Sequence, residues 1–527
     1  MAVAGAFALG CSSGDFDGCE NSNTCGSGTG STSGTGGTGA TGGAGGTDGG
    51  AGIGGSSGSG GDGGGCDTSK NPGEESCLIS EDYGVFVNGN STSGSEDGSF
   101  LNPYKTISAA IGAAAGKNVY VCDTGDSYKE SISIDSTSDG IKLFGGFDCA
   151  GGTWTYGANK ASISGDATAV TISGLTTGVT LMDFDITSAK AAVSGQSSIG
   201  ILAANSANVH LSGVSVTAGD GAKGDTGGAG TTGTNGATAG PAQDGANASC
   251  GTPPGTQAGG KWAAASSCGS LGGQGGTALK ESPGTPGFDG TPKTDVTPPN
   301  TSNAGPAGTN GAGQPGSPGN AGTNGNAADP AGKFTQAGFT PADGANGAIG
   351  FPGQGGGGGG ASSAATATNC IGASGGAGGM GGCGGTPGSG GKGGGASVAL
   401  LSWNSKVTLE DCTLTSGKGG DGGDGGQGGV GGDGVAGGNG GSAGATALGK
   451  AGNGGEGGKG GPGGSGSGGT GGPSYPIVWN TTQPTEVGTV TLVPGTEGAL
   501  GTGGQVPGGV KAPNGSVGKA DQKFEQT

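Results

Sequence analysis

Arginine is absent from this chain: all 20 basic residues are lysine. Histidine occurs once, at His210, aromatic residues make up 4% of the 527 residues and hydrophobic residues 29%. Each shortage excludes something. A chain of formal net charge −19 without guanidinium forks is poorly suited to a phosphate backbone, so nucleic acid is not expected as a partner. No apolar run reaches the 18 residues of a membrane-spanning helix. One histidine and no CxxC pair leave no ordinary Cys/His zinc site. With His210 alone, the GxSxG matches at 54–58 and 372–376 gain no Ser-His-Asp triad. An apolar fraction this low cannot offset the entropy of ordering the chain if it is spread evenly, so any core is confined to particular segments.

What fills the space is glycine, at 145 residues. It recurs at every third position from 376 to 394, from 419 to 440 and from 454 to 472, with weaker runs at 221–236 and 313–325. Collagen would need abundant proline and three chains. Calcium-binding nonapeptides need period nine, whereas Asp421 and Asp424 are three apart. The phosphate-loop-like stretch ending at Gly449-Lys450 has Ala451 where a magnesium-binding Ser or Thr belongs. Two readings fit: flexible loops, or a threefold extended helix of the polyglycine-II kind, whose neighbours exchange backbone hydrogen bonds. Strict period three is unnecessary in a spacer, which favours packed layers, with the X residues of Gly-Gly-X turned to solvent.

The apolar residues are concentrated elsewhere. VTLMDFDIT from Val179, VHLSGVSVT from Val209 and VTLEDCTLT from Val407 carry apolar residues at relative positions 0, 2, 5 and 7. Two alternating pairs separated by one extra residue read as strand, bend, strand. SIGILAAN from Ser198 and SVALLSWN from Ser397 each lead into a copy, and YPIVWN from Tyr475 precedes VGTVTLV. Such units stack on one core. The glycine tracts are then excursions that leave the same side after Thr217 and Thr415. The expected class is all-β, a right-handed parallel β-helix interrupted by long glycine-rich insertions, with a short helix in Ser108–Gly116.

The boundaries follow: a signal remnant at 1–10, a Gly/Ser/Thr-rich tether at 11–75, the first β-helix part at 76–220, and insertion one at 221–395. A coil follows at 396–416, insertion two at 417–473, the last coil at 474–500 and a polar tail at 501–527. MAVAGAFALGC is similar to the end of a bacterial lipoprotein signal, with Ala8-Leu9-Gly10-Cys11 in the place of its lipobox, although no basic region precedes it. That resemblance implies a lipid on Cys11 and a membrane contact through the lipid alone. Twelve cysteines suit an exported, oxidised protein. Pairing by shortest loop gives Cys19–Cys25, Cys66–Cys77, Cys122–Cys149, Cys250–Cys268 and Cys370–Cys383, leaving Cys412, although spacing cannot fix connectivity.

Asn102 to Ile107 (NPYKTI), the segment Gly125 to Glu130 and Gly145-Gly146-Phe147 resemble the opening of secreted β-helix proteins of the DUF1565 and pectate-lyase-like group. The glycine tracts resemble the compositionally defined PGRS family of myxobacteria and relatives. The resemblance implies a fold rather than a reaction, since no cluster of Asp, Lys, Arg or His is aligned.

No catalytic residue, metal or cofactor is therefore assigned. The leading expectation is a non-enzymatic envelope lipoprotein of the outer membrane or cell surface with a structural, adhesive or matrix-contact role; a secreted protein is the alternative location. The competing class is a polysaccharide lyase or hydrolase. Asp183 and Asp411 share relative position 4, and two rungs would separate them by about 9–10 Å, bordering the range of inverting carboxylates. The simpler account is that Asp favours a bend. His210 should point outward and idle. A third class is a glycan-binding module using Tyr120, Tyr156, Trp154, Trp403 and Trp479. Partners are thus restricted to a membrane through the lipid and a surface polysaccharide or matrix.

Overall fold

The computed structural model describes residues 65–292 and 311–527. The chain is predominantly β, and its large sheets are parallel apart from the short strand Thr155–Tyr156, which pairs antiparallel with Lys142–Asp148. Sheet I runs through Gly84–Val87, Asn118–Cys122, Lys142–Asp148, Val179–Met182, Val209–Ser212, Val407–Glu410 and Thr485–Val487. Sheet II contains Ala161–Gly165, Phe184–Ser188, Ser215–Thr217, Thr413–Thr415 and Thr491–Val493. Sheet III contains Ile132–Ile134, Thr168–Ser173, Ser198–Ala204, Ser397–Trp403, Ser474–Asn480 and Lys523–Glu525. In every sheet the order in space is the order in the chain. From Thr168 onward the path repeats as sheet III, sheet I, sheet II.

The repeated motif sets this path. Val209 faces Val179 on one side and Val407 on the other, and Leu211 likewise lies between Leu181 and Leu409. Val216 pairs with Ile186 and Leu414. All of these side chains, with Phe184, Val214 and Cys412 at relative position 5, are buried in one core cluster. Helix Ile107–Ala113 adds Ile107, Ala110 and Ile111 to it. Its first N–H groups, at Ile107 and Ser108, donate to Glu130, and Thr106 caps Ala109.

The corners are encoded residue by residue. Between sheets I and II the chain turns through a left-handed residue at Asp183 (φ 60°), Gly213 (62°), Asp411 (50°) and Gly488 (66°). Between sheets III and I the equivalent residues are Gly174, Asn205, Asn404 and Thr481, also at positive φ. Gly, Asn and Asp tolerate this region, and Thr481 is the one exception among these corners. The Asn404 side-chain amide donates to the Asn205 side-chain oxygen at 3.0 Å, linking successive corners.

The third corner, from sheet II back to sheet III, is where the chain departs. It is short in residues 189–197 and long in 218–396 and 416–473. A further departure at 494–522 overturns the polar tail expected at 501–527: this segment joins the glycine layers, and Lys523–Glu525 then pairs with Ser474–Asn480.

The departing chains keep the phase of the strands they leave. Ala218 N–H donates to Thr415 O as sheet II ends, and Gly221, Gly224, Gly227, Gly230, Gly233 and Gly236 then donate to Lys418, Asp421, Asp424, Gln427, Val430 and Asp433. On the other flank Ser416, Gly419, Gly422 and Gly425 donate to Val493, Thr496, Ala499 and Thr502. The tracts are thus hydrogen-bonded layers with a repeat of three. Within one tract, successive N–H groups point to different neighbours: Gly376 to Gly452 (3.0 Å), Ala377 to Gln243 (2.8 Å) and Gly378 to Gly273 (2.8 Å). The approach leaves no room for a side chain. A Cβ on Gly391 would lie 2.0 Å from Gly423 O, and one on Gly388 would lie 2.1 Å from Gly426 O.

Buried hydroxyls join the layers to the sheets. Ser397 Oγ donates to Gly219 O and accepts from Gly417 N–H, while Ser474 Oγ donates to Gly417 O. Both serines are fully buried.

Candidate binding surfaces

Cys11, Cys19 and Cys25 lie outside the described residues. Eight of the other nine cysteines form four disulfides, Cys66–Cys77, Cys122–Cys149, Cys250–Cys370 and Cys268–Cys383. The last two correct the shortest-loop pairing of Cys250 with Cys268 and Cys370 with Cys383. Cys250 and Cys370 are opposite residues of a small antiparallel pair, and layer packing brings the Cys268 loop onto the Cys383 tract. Where distant segments are laid side by side, sequence proximity is a poor guide to Sγ proximity. Four disulfides indicate an oxidising, extracellular-type environment. Cys412 is a buried free thiol inside the core, hydrogen-bonded to backbone carbonyls.

Asp183 and Asp411 do stand in one column of corner residues, but their carboxylates are engaged. Tyr156 Oη donates to Asp183 Oδ2, and burial pushes the Asp183 carboxyl up while the Tyr156 hydrogen bond and Lys160 oppose this. Asp411 Oδ1 accepts the Thr489 N–H at 2.8 Å. The column alternates Asp, Gly, Asp, Gly, and the glycines are required. A Cβ on Gly213 would sit 2.4 Å from Asp183 Oδ1, and one on Gly488 would sit 2.4 Å from Asp411 Oδ1. Each carboxylate occupies the room its neighbour's missing side chain leaves, so the bend accounts for both residues.

His210 points outward, as its place between inward Val209 and Leu211 requires, but it is not idle. Its Nε2 lies 3.1 Å from Glu410 Oε2 in a polar cleft that also contains Lys70, Glu74 and Lys142.

The aromatics do not form an exposed line. Tyr120 is fully buried, and with Phe86, Phe144, Phe147, Trp154 and Tyr156 it covers the outer face of sheet I in edge and tilted contacts. Trp479 is buried, and Trp403 packs on the outer face of sheet III. A second aromatic cluster, Phe334, Phe339, Tyr475 and Phe524, lies on the same face. Its signal was available as KFTQAGFT (333–340), an alternating aromatic hairpin inside an otherwise glycine-rich insertion.

The outer face of sheet II carries two rows of short polar side chains. One is Ser162, Asp185, Ser215, Thr413 and Thr491; the other is Ser164, Thr187, Thr217 and Thr415, ending in Val493. Lys160 reaches across the first row to Ser215 and Asp185.

The X residues of the glycine tracts have a role that composition did not reveal. Asp220 accepts the N–H of Lys418, Asn235 that of Asp433, Asp244 that of Asn439, Asp421 that of Ala499 and Asp424 that of Thr502, all at 2.6–2.8 Å. The expectation that these side chains simply face solvent is corrected. They close donors that no backbone carbonyl reaches. The Thr502 N–H and hydroxyl hold the Asp424 carboxyl below its usual range.

Among the described residues, no group of three or more His, Cys, Asp or Glu is placed to hold a metal ion, and no helix is long and apolar enough to cross a membrane. No family, curated protein or solved structure matches the chain.

Proposed function

We propose that this chain is a structural and adhesive module of the cell envelope, in which a right-handed parallel β-helix carries polyglycine-II-like layers outward from one corner. The β-helix reading is supported by three parallel sheets visited in fixed rotation, with left-handed corners at matching positions. The polyglycine-II reading is supported by successive N–H groups that turn to different neighbours every residue, as three residues per turn requires. A lipid on Cys11 and the 11–75 tether would hold this body off the outer membrane.

One observation carries the functional reading. The glycine excursions continue the hydrogen-bond register of sheet II for six further steps, from Gly221 to Gly236. An enzyme surface needs converging side chains, whereas this chain devotes its largest segments to backbone cohesion. The expected result for cells displaying the full chain is retention on matrix or polysaccharide that falls when Gly388 and Gly391 are both replaced by alanine. New reducing ends released from a polysaccharide panel by the purified wild-type protein would overturn the reading. Metabolic lipid labelling, with a Cys11→Ser control that loses the label, tests the anchor separately.

A polysaccharide lyase or hydrolase is the second reading, and the His210–Glu410 pair beside Lys142 is what favours it. That reading requires Glu410→Gln to abolish turnover that the wild type performs.

A further inference from the structure

The hairpin Lys333–Thr335/Gly338–Thr340 folds over the outer face of sheet III and encloses a cavity of about 50 Å³. Its walls are aromatic: Phe334, Phe339, Tyr475 and Phe524, with Pro473 and Ala331 completing them. Tyr475 and Phe524 stack at 5.0 Å, and Phe334 and Phe339 lie 4.8 Å apart. Beside it is an open polar vestibule of about 380 Å³ lined by Glu497, Lys519 and Asp521. The two chambers share Tyr475, Gly518, Lys519 and Phe524.

Tyr475 is the unusual member. It is 3% exposed, yet its hydroxyl has no hydrogen-bond partner among the described residues, although buried polar groups are nearly always satisfied. Burial, with Asp521 nearby, pushes its pKa up to about 12, so it is a neutral donor at physiological pH. Tyr475 lines both the aromatic chamber and the polar vestibule, so its unused donor invites a ligand that matches both.

We infer that this is a recognition site for the N-acetyl group of an N-acetylated sugar in a cell-wall or matrix polysaccharide. Size supports the choice. A cavity of roughly 150 Å³ accommodates benzene, so one about a third as large holds about two heavy atoms, the methyl and carbonyl carbons of an acetyl group. The methyl meets the rings, the carbonyl oxygen accepts from Tyr475 Oη, and the ring hydroxyls meet Glu497, Lys519 and Asp521. Lys523 also lines the vestibule but is engaged by Glu486 at 2.7 Å. The inference rests on the adhesive reading above and names its ligand class.

The test is calorimetric titration of the full chain with N-acetylglucosamine tetramer and, in parallel, with the fully deacetylated tetramer. Binding of the acetylated form alone is expected, weakened roughly three- to tenfold by Tyr475→Phe, the loss of one neutral hydrogen bond. Thermal melting should show Tyr475→Phe as stable as the wild type. Ala331→Trp, at an exposed position on the cavity wall, should abolish binding without unfolding the chain. Equal affinity for both tetramers, no binding of either, or unchanged affinity in both variants would each overturn the site. Retention of the Ala331→Trp chain on intact matrix distinguishes the two proposals: if it persists, adhesion stands through another face and only this site fails.

Discussion

Asp424 and Thr502 belong to different excursions, 78 residues apart, and Asp424 Oδ1 accepts both the Thr502 N–H (2.7 Å) and its hydroxyl (2.8 Å). Asp421 does the same for the Ala499 N–H one period earlier. The glycine layers are therefore held in register by side chains as well as by backbone.

Replacing Asp424 by alanine strands the Thr502 donor and should cost about 1 kcal/mol, while Asp424→Asn keeps an acceptor and should cost less. The carboxyl is held below its unfolded value, so its contribution is full above about pH 4 and is lost as pH falls through the folded value. Thermal unfolding followed from pH 7 to pH 2 should show wild-type stability falling more steeply below about pH 4 than that of Asp424→Asn.

Gly391→Ala should destabilise the layers by at least about 1–3 kcal/mol, the usual cost of overpacking, because the new Cβ meets Gly423 O at 2.0 Å. Gly112, inside helix Ile107–Ala113, has nothing within 4 Å of its would-be Cβ. Gly112→Ala should stabilise by about 0.5–1 kcal/mol. Opposite signs in chemical denaturation separate close approach from glycine flexibility.

At the corner between sheets I and II, Asp411→Ala should be worse than Asp411→Gly. Both lose the Thr489 cap, but only alanine adds the strain of φ 50° without a side-chain partner. The expected difference is about 1 kcal/mol in unfolding free energy.

Peptide mapping without reductant should recover Cys250 joined to Cys370 and Cys268 joined to Cys383. These bonds close loops of 120 and 115 residues, and each is worth up to about 4–5 kcal/mol by chain-entropy reasoning. The double variant Cys250→Ser/Cys370→Ser should melt well below the wild type, with the loss concentrated in residues 221–395 by hydrogen exchange.

The stacked parallel strands were legible in the sequence because strand alternation is local. Val179, Val209 and Val407 open copies whose inward positions match, and one bend residue per copy marks the corner. Departure of the excursions after Thr217 and Thr415 followed from the same copies. Partner choice was not legible. Nothing near Asp421 in the chain points to Ala499, and nothing near Cys250 points to Cys370, because those neighbours are set only once the layers are stacked. The polar tail expected at 501–527 hides a layer segment whose period is visible once it is traced back into 494–500, since Gly495, Gly498, Gly501 and Gly504 keep the spacing of three. Tyr475 could be placed on a strand, but its unsatisfied hydroxyl depends on a hairpin more than a hundred residues earlier.

The phase shared by Ser215–Thr217 and the excursion that follows it has a developmental meaning for such a protein. Material can be added at the outer end in steps of three residues, provided adjoining chains gain equally, and nothing at the base has to be rebuilt. The extent of the layers is thereby set by the number of three-residue steps and not by the sheets they leave.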